Sequence, residues 1–129
     1  MKKILPALVF FLLSFSASAE WDLMFCDWVD NKTNCIGKSS VFQLSGAELQ
    51  LTVMLQNPQG LRTAKVYFEV YRMDVNTYAE DLTATEETKT EPTQASAYQT
   101  IHILNKGHYL IKARDAFKDY ITSRELEVK

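Results

Sequence analysis

Alternation of apolar and polar residues is the feature that most constrains this chain. Between Leu49 and Gln56 every second residue is aliphatic (Leu49, Leu51, Val53, Leu55), and Gln50, Thr52, Met54 and Gln56 intervene. A strand turns successive side chains to opposite faces, so this run predicts a half-buried strand rather than a helix with one apolar stripe. The period recurs in four further runs. Val66, Phe68 and Val70 alternate with Lys65, Tyr67, Glu69 and Tyr71, and Ile101 and Ile103 alternate with Thr100 and His102. Tyr109, Ile111 and Ala113 alternate with His108, Lys112 and Arg114, and Leu126 and Val128 with Glu125 and Glu127. Weaker patterns at Trp21 to Val29 and Ser40 to Leu44 bring the total to about seven short strands.

No amphipathic helix interrupts these runs, and the segments between them carry turn chemistry. Asn57-Pro58-Gln59-Gly60 combines a residue without an N–H and one that accepts positive φ. Antiparallel strands with one apolar face each are buried by placing two sheets face to face, which predicts an all-β, two-sheet antiparallel sandwich. A small closed barrel satisfies the same alternation. The stretch from Val75 to Ala95 is rich in threonine and acids; it reads as an edge strand protected by charge or as a mobile loop.

The first nineteen residues follow a different rule. Lys2 and Lys3 precede an apolar run from Ile4 to Phe15, and Ala17-Ser18-Ala19 forms a small-residue cleavage motif before Glu20. This is the pattern of a secretory signal peptide, 1–19, followed by one domain, 20–129, and it implies a periplasmic or secreted protein of bacterial type. The apolar run is too short to span a bilayer, and no second one follows. Loss of Lys2 and Lys3 with the leader takes the formal charge from −2 to −4. An acidic domain of this kind lacks the basic footprint of a nucleic-acid binder.

Cys26 and Cys35, in an oxidising compartment, are expected to form a disulfide. The chain-entropy account gives such a short loop about 2–3 kcal/mol. A redox role would call for a close C-x-x-C pair, which is absent. If the two cysteines pair directly across a hairpin, Asp30-Asn31 forms its tip.

Asn105-Lys106-Gly107-His108-Tyr109-Leu110-Ile111-Lys112-Ala113 resembles the corner before strand F, and strand F itself, of immunoglobulin-like and fibronectin III-like sandwiches. The run through Arg114-Asp115 to Glu125-Leu126-Glu127-Val128 is similar to the closing strands of the polycystic-kidney-disease-type module. The resemblance implies an immunoglobulin-like sandwich in which Tyr109 hydrogen-bonds back to the upstream backbone. Ile111 stands where an antibody-like domain carries its second core cysteine, so the antibody-type disulfide is missing. Such modules commonly bind, space or adhere, which points to an interaction role.

Residues able to carry chemistry are few. Two cysteines and two histidines cannot complete a four-ligand zinc site without carboxylates. His102 and His108 are the metal candidates, and with carboxylates they give a second reading, a small periplasmic metal carrier. A shared site is disfavoured whether the two strands form a hairpin or cross between sheets, because the two side chains then point to different faces or sheets. No G-x-S-x-G occurs, and carboxylate pairs such as Glu86 and Glu91 are too common in an acidic chain to mark a glycosidase. Asn31-Lys32-Thr33 matches a glycosylation sequon but reads as a polar turn, and Lys112, Arg114 and Lys118 read as a solvated basic group. The expectation is therefore a protein without catalytic residues or cofactor. Its candidate binding residues are the outward Tyr67 and Tyr71, with Met54 on a neighbouring strand, and its partner a protein or glycan of the cell envelope.

Overall fold

The computed structural model describes residues 20–129; the leader expected at 1–19 lies outside the described residues. Ten strands and no helix make up this region: β1 (Asp22–Cys26), β2 (Trp28–Val29), β3 (Cys35–Ile36), β4 (Val41–Phe42), β5 (Leu49–Gln56), β6 (Lys65–Met73), β7 (Glu80–Lys89), β8 (Ser96–Ile103), β9 (Gly107–Arg114) and β10 (Tyr120–Val128). They form a three-stranded sheet, β1-β5-β8, a five-stranded sheet, β4-β10-β9-β6-β7, and the short β2-β3 hairpin. All pairs are antiparallel except β4 on β10. The architecture is an immunoglobulin-like β-sandwich, with the chain leaving one sheet at β1 and joining the other at β4.

The alternation works as the sequence requires. Leu51, Val53 and Leu55 of β5 meet Val66, Phe68 and Val70 of β6 and Ile111 and Ala113 of β9 in one core, closed by Phe25, Ile101, Leu126 and Val128. Each large apolar side chain buried there contributes about 1.5–3 kcal/mol. Two separate sheets exclude the closed barrel, and side chains cross both seams. Gln99 Nε2 on β8 donates to the Glu87 carbonyl on β7 (3.1 Å), and Arg124 Nη1 on β10 donates to the Leu23 carbonyl on β1 (3.0 Å).

The Thr-rich stretch contains an ordered ten-residue edge strand, β7, paired along its length with β6 and bulged between Val70 and Tyr71. Thr88, Glu86 and Ala84, opposite Val66, Phe68 and Val70, turn toward the interior side and are half-buried, whereas Glu87 and Thr85 turn away and are exposed. Tyr109 is buried and its hydroxyl donates to the Asn105 carbonyl (2.6 Å), four residues upstream, as the immunoglobulin-like resemblance implies. Burial pushes that hydroxyl's pKa up. The segment carrying this bond crosses from β8 in one sheet to β9 in the other.

Cys26 and Cys35 are disulfide-bonded, but they do not face each other in register: Cys35 pairs with Val29, and Trp28 with Ile36. The tip is accordingly shifted. Asp30 accepts hydrogen bonds from the Lys32 and Asn34 amides, and Thr33, rather than Asp30 or Asn31, takes the left-handed conformation (φ 64°). The same device closes β9 to β10. Asp115 accepts from the Phe117 and Asp119 amides, and Lys118 is left-handed (φ 65°). An aspartate that caps its own turn lets a non-glycine residue hold positive φ.

The disulfide fastens the β2-β3 hairpin over the outer side of the three-stranded sheet. Met24 and Met54, opposite each other on β1 and β5, are buried there with Cys26 beneath Val29 and Cys35. Met54 is thus fully buried and lies in the other sheet from Tyr67 and Tyr71, which corrects its assignment to their face. Polar alternation placed it outward correctly; a cover drawn from elsewhere in the chain then removed it from solvent.

Replacing both cysteines by alanine is expected to cost about 2–3 kcal/mol, read as a lower urea midpoint. Phe68→Ala, at the centre of the core, is expected to cost about 3–5 kcal/mol in the same titration.

Candidate functional site

The outer face of the five-stranded sheet gathers most of the expected binding residues. Strand register sets its rows. Tyr67 on β6 lies between Arg114 on β9 and Glu87 on β7, and Tyr120 on β10 continues that row beyond Arg114. Two pleats along, Tyr71 lies between Leu110 and Leu82. Glu69 occupies the row between the tyrosines, flanked by Lys112 and Thr85.

Charged side chains fix both rings. Glu69 Oε1 accepts from Arg114 Nε (2.6 Å) and from the Tyr71 hydroxyl (2.9 Å). Lys112 Nζ lies 4.6 Å from the Tyr71 ring centre and reaches past it to Glu80 (2.8 Å). Lys118 and Lys65 sit over Tyr67 at 5.3 and 5.6 Å, and Lys65 also pairs with Glu87. Such cation–ring contacts contribute about 0.5–1 kcal/mol each at exposed sites. The basic group Lys112, Arg114 and Lys118 is therefore not merely solvated: it forms the frame of the tyrosine stripe.

The rings are half-buried by this frame, while apolar groups around them stay open. Leu82 is 51% exposed beside Tyr71, Tyr120 is 56% exposed, and Phe117 at the adjacent hairpin tip is 87% exposed. Phe117 and Leu82 escaped sequence reasoning. The signal for Phe117 is an aromatic set between two aspartates in a turn, Asp115-Ala116-Phe117-Lys118-Asp119, where no core is available to it. The signal for Leu82 is one large aliphatic in a strand that is otherwise polar apart from Ala84.

Burial pushes the Glu69 carboxyl up, but the hydrogen bonds from Arg114 and Tyr71 outweigh it and hold the group below its ordinary value of 4.5. Its interactions therefore stabilise the fold above the unfolded value and are lost as pH falls through the lower folded value.

The metal candidates stand apart. His102 on β8 pairs with Glu48 (2.6 Å), His108 on β9 lies 3.6 Å from Glu127, and the two strands belong to different sheets. Among the described residues no three His, Cys, Asp or Glu side chains converge, so nothing supports the metal-carrier reading. A cleft of about 470 Å³ opens at the end of the five-stranded sheet, between Arg72, Asp74, Glu80, Asp81 and His108. It lies beyond Tyr71 and meets the tyrosine face at Glu80, the partner of Lys112.

No protein-family model and no curated protein matches the chain. Solved structures align with the chain at low identity. An immunoglobulin-like protein from Pseudomonas aeruginosa aligns over 88% of this chain and 99% of its own, at 10% identity and a TM-score of 0.47. A β-glucosidase from Listeria innocua, solved with and without glucose, aligns over 84% of this chain at 16% identity and a TM-score of 0.44. The chain spans 16% of that enzyme's length.

Glu69→Gln is expected to cost about 1 kcal/mol near neutral pH, where the wild-type carboxylate is ionised and bonded. Its thermal midpoint is expected to fall less than that of the wild type as pH drops below about 4.5, because the glutamine cannot titrate. Parallel slopes for the two proteins would show that Glu69 is not the group lost.

Proposed function

We propose that this chain is a non-enzymatic interaction module of the bacterial periplasm or exterior that recognises a protein or glycan of the cell envelope. The observation that carries this reading is the outer face of the five-stranded sheet. The Tyr71 ring is held by Glu69 and Lys112, Tyr67 lies under Lys65 and Lys118, and exposed Leu82, Tyr120 and Phe117 surround them. Ordered rings lose little conformational freedom on binding, and tyrosine is enriched in interface cores.

Between the two partner classes the exposed apolar groups favour protein. Leu82 and Phe117 offer no hydrogen-bonding side-chain atoms for a sugar's hydroxyls, but they match the apolar centre of a protein contact. The disulfide is compatible with a location outside the cytoplasm. No helix among the described residues is long and apolar enough to cross a membrane.

The test is capture from envelope extracts of the source organism, using residues 20–129 as bait beside the Tyr67→Ala/Tyr71→Ala variant. A specific partner whose affinity falls at least about tenfold in the variant is the expected result. Capture of an oligosaccharide instead would move the reading to glycan. Equal capture by both baits would remove the tyrosine face as the site.

A further inference from the structure

The sandwich has several strand edges, and it treats them differently. On β1 the Leu23 carbonyl is capped by Arg124 Nη1 and the Phe25 carbonyl by the Ser39 amide. On β8 the Tyr98 carbonyl is met by Thr88 Oγ1 at 3.5 Å. On β7 the Glu87 carbonyl accepts from Gln99 Nε2. Among the described residues, the N-terminal part of β7, from Glu80 to Glu86, has no such cap on its outer edge.

The orientation of this edge follows from the ladder. The Thr90 amide donates to the Ala64 carbonyl (3.0 Å), so Thr90, Thr88, Glu86 and Ala84 point their backbone groups toward β6. In an antiparallel pair the intervening residues point theirs away, which turns the N–H and C=O of Thr85 to the open edge. The Glu87 carbonyl, bonded from outside by Gln99, confirms this phase. An open run of backbone donors and acceptors is a template for another strand.

Its charge restricts what can pair there. β7 carries Glu80, Asp81, Glu86 and Glu87 against a single Lys89. Glu80 is paired with Lys112 and Glu87 with Lys65, which leaves Asp81 and Glu86, among the described residues, without a cationic partner. Two copies of this strand would set acids against acids, and a basic segment would compensate the remaining pair. We propose that the Glu80–Glu86 edge of β7 is a strand-addition site for an extended, lysine- or arginine-rich segment of a partner protein. The main-chain bonds provide affinity there, and the acids select a basic sequence. The site adjoins the tyrosine face, sharing Leu82 and Glu80 with its rim, but it is built from main-chain groups on the edge away from β6 and does not rely on the rings.

The probe is a blocked peptide of alternating lysine and valine, about seven residues long to match an ordinary strand, with a glutamate and valine peptide as its opposite. With the full chain, the basic peptide is expected to slow hydrogen exchange of the Thr85 amide at least tenfold while the acidic one leaves it unchanged. Thr85→Pro removes an outward N–H without breaking a bond to β6, a position at which edge strands tolerate proline. It is expected to abolish binding with an unchanged thermal midpoint. Asp81→Lys/Glu86→Lys, which keeps the backbone, is expected to lose the basic peptide and gain the acidic one. The proposal is overturned if millimolar basic peptide leaves Thr85 exchange unchanged, if both peptides bind alike, or if the lysine pair still prefers the basic one.

Discussion

Everything in this domain depends on burying one face of each sheet against the other. Val53 and Leu55 from one side and Phe68 and Ile111 from the other are removed from water in a single contact. No strand here could be stable alone, because a lone sheet would expose its whole apolar side. Once that contact forms, the outward residues of every strand are fixed to within a side-chain rotamer. Recognition surfaces follow as a by-product of the pleat: Tyr67, Glu69 and Tyr71 lie in line because Val66, Phe68 and Val70 do.

The two outer faces then meet different fates. On the three-stranded sheet Met24 and Met54 would form an apolar strip, and the chain folds its disulfide hairpin over them. On the five-stranded sheet the outward residues are mostly tyrosines and charges, and among the described residues no comparable hairpin covers them. Long cationic side chains lie on the rings instead, which limits exposed aromatic area while keeping it reachable, since a lysine can swing aside at far lower cost than a disulfide-tied hairpin. A covered face and a lightly shielded face within one domain mark out where a partner has room to bind.

Much of this was legible in the alternation. The strand faces of Leu49 to Gln56, of Lys65 to Met73 and of the closing pair are read off directly, because period two has one physical meaning in a strand. Tyr109 was legible for another reason: its bond to Asn105 is local, four residues long, and travels with the Gly-x-Tyr motif. Features set by distant pieces were not. Burial of Met54 depends on a hairpin some twenty residues upstream, and the alliance of Arg114 with Glu69 depends on register between β6 and β9. The order of β7 was ambiguous because threonine and glutamate suit a solvated edge and a loop alike, and pairing with β6 decides between them.

The same acids that blurred β7 explain why its edge can stay open. An uncapped strand is a hazard when any passing strand can join it, and proteins usually blunt the risk by capping or by charge. This chain uses caps on β1 and β8 and at the C-terminal end of β7, and charge at the N-terminal end. A cap excludes every strand, whereas charge excludes only those that are neutral or alike in sign. Where both devices occur in one fold, the charged edge is the one that retains a choice of partner.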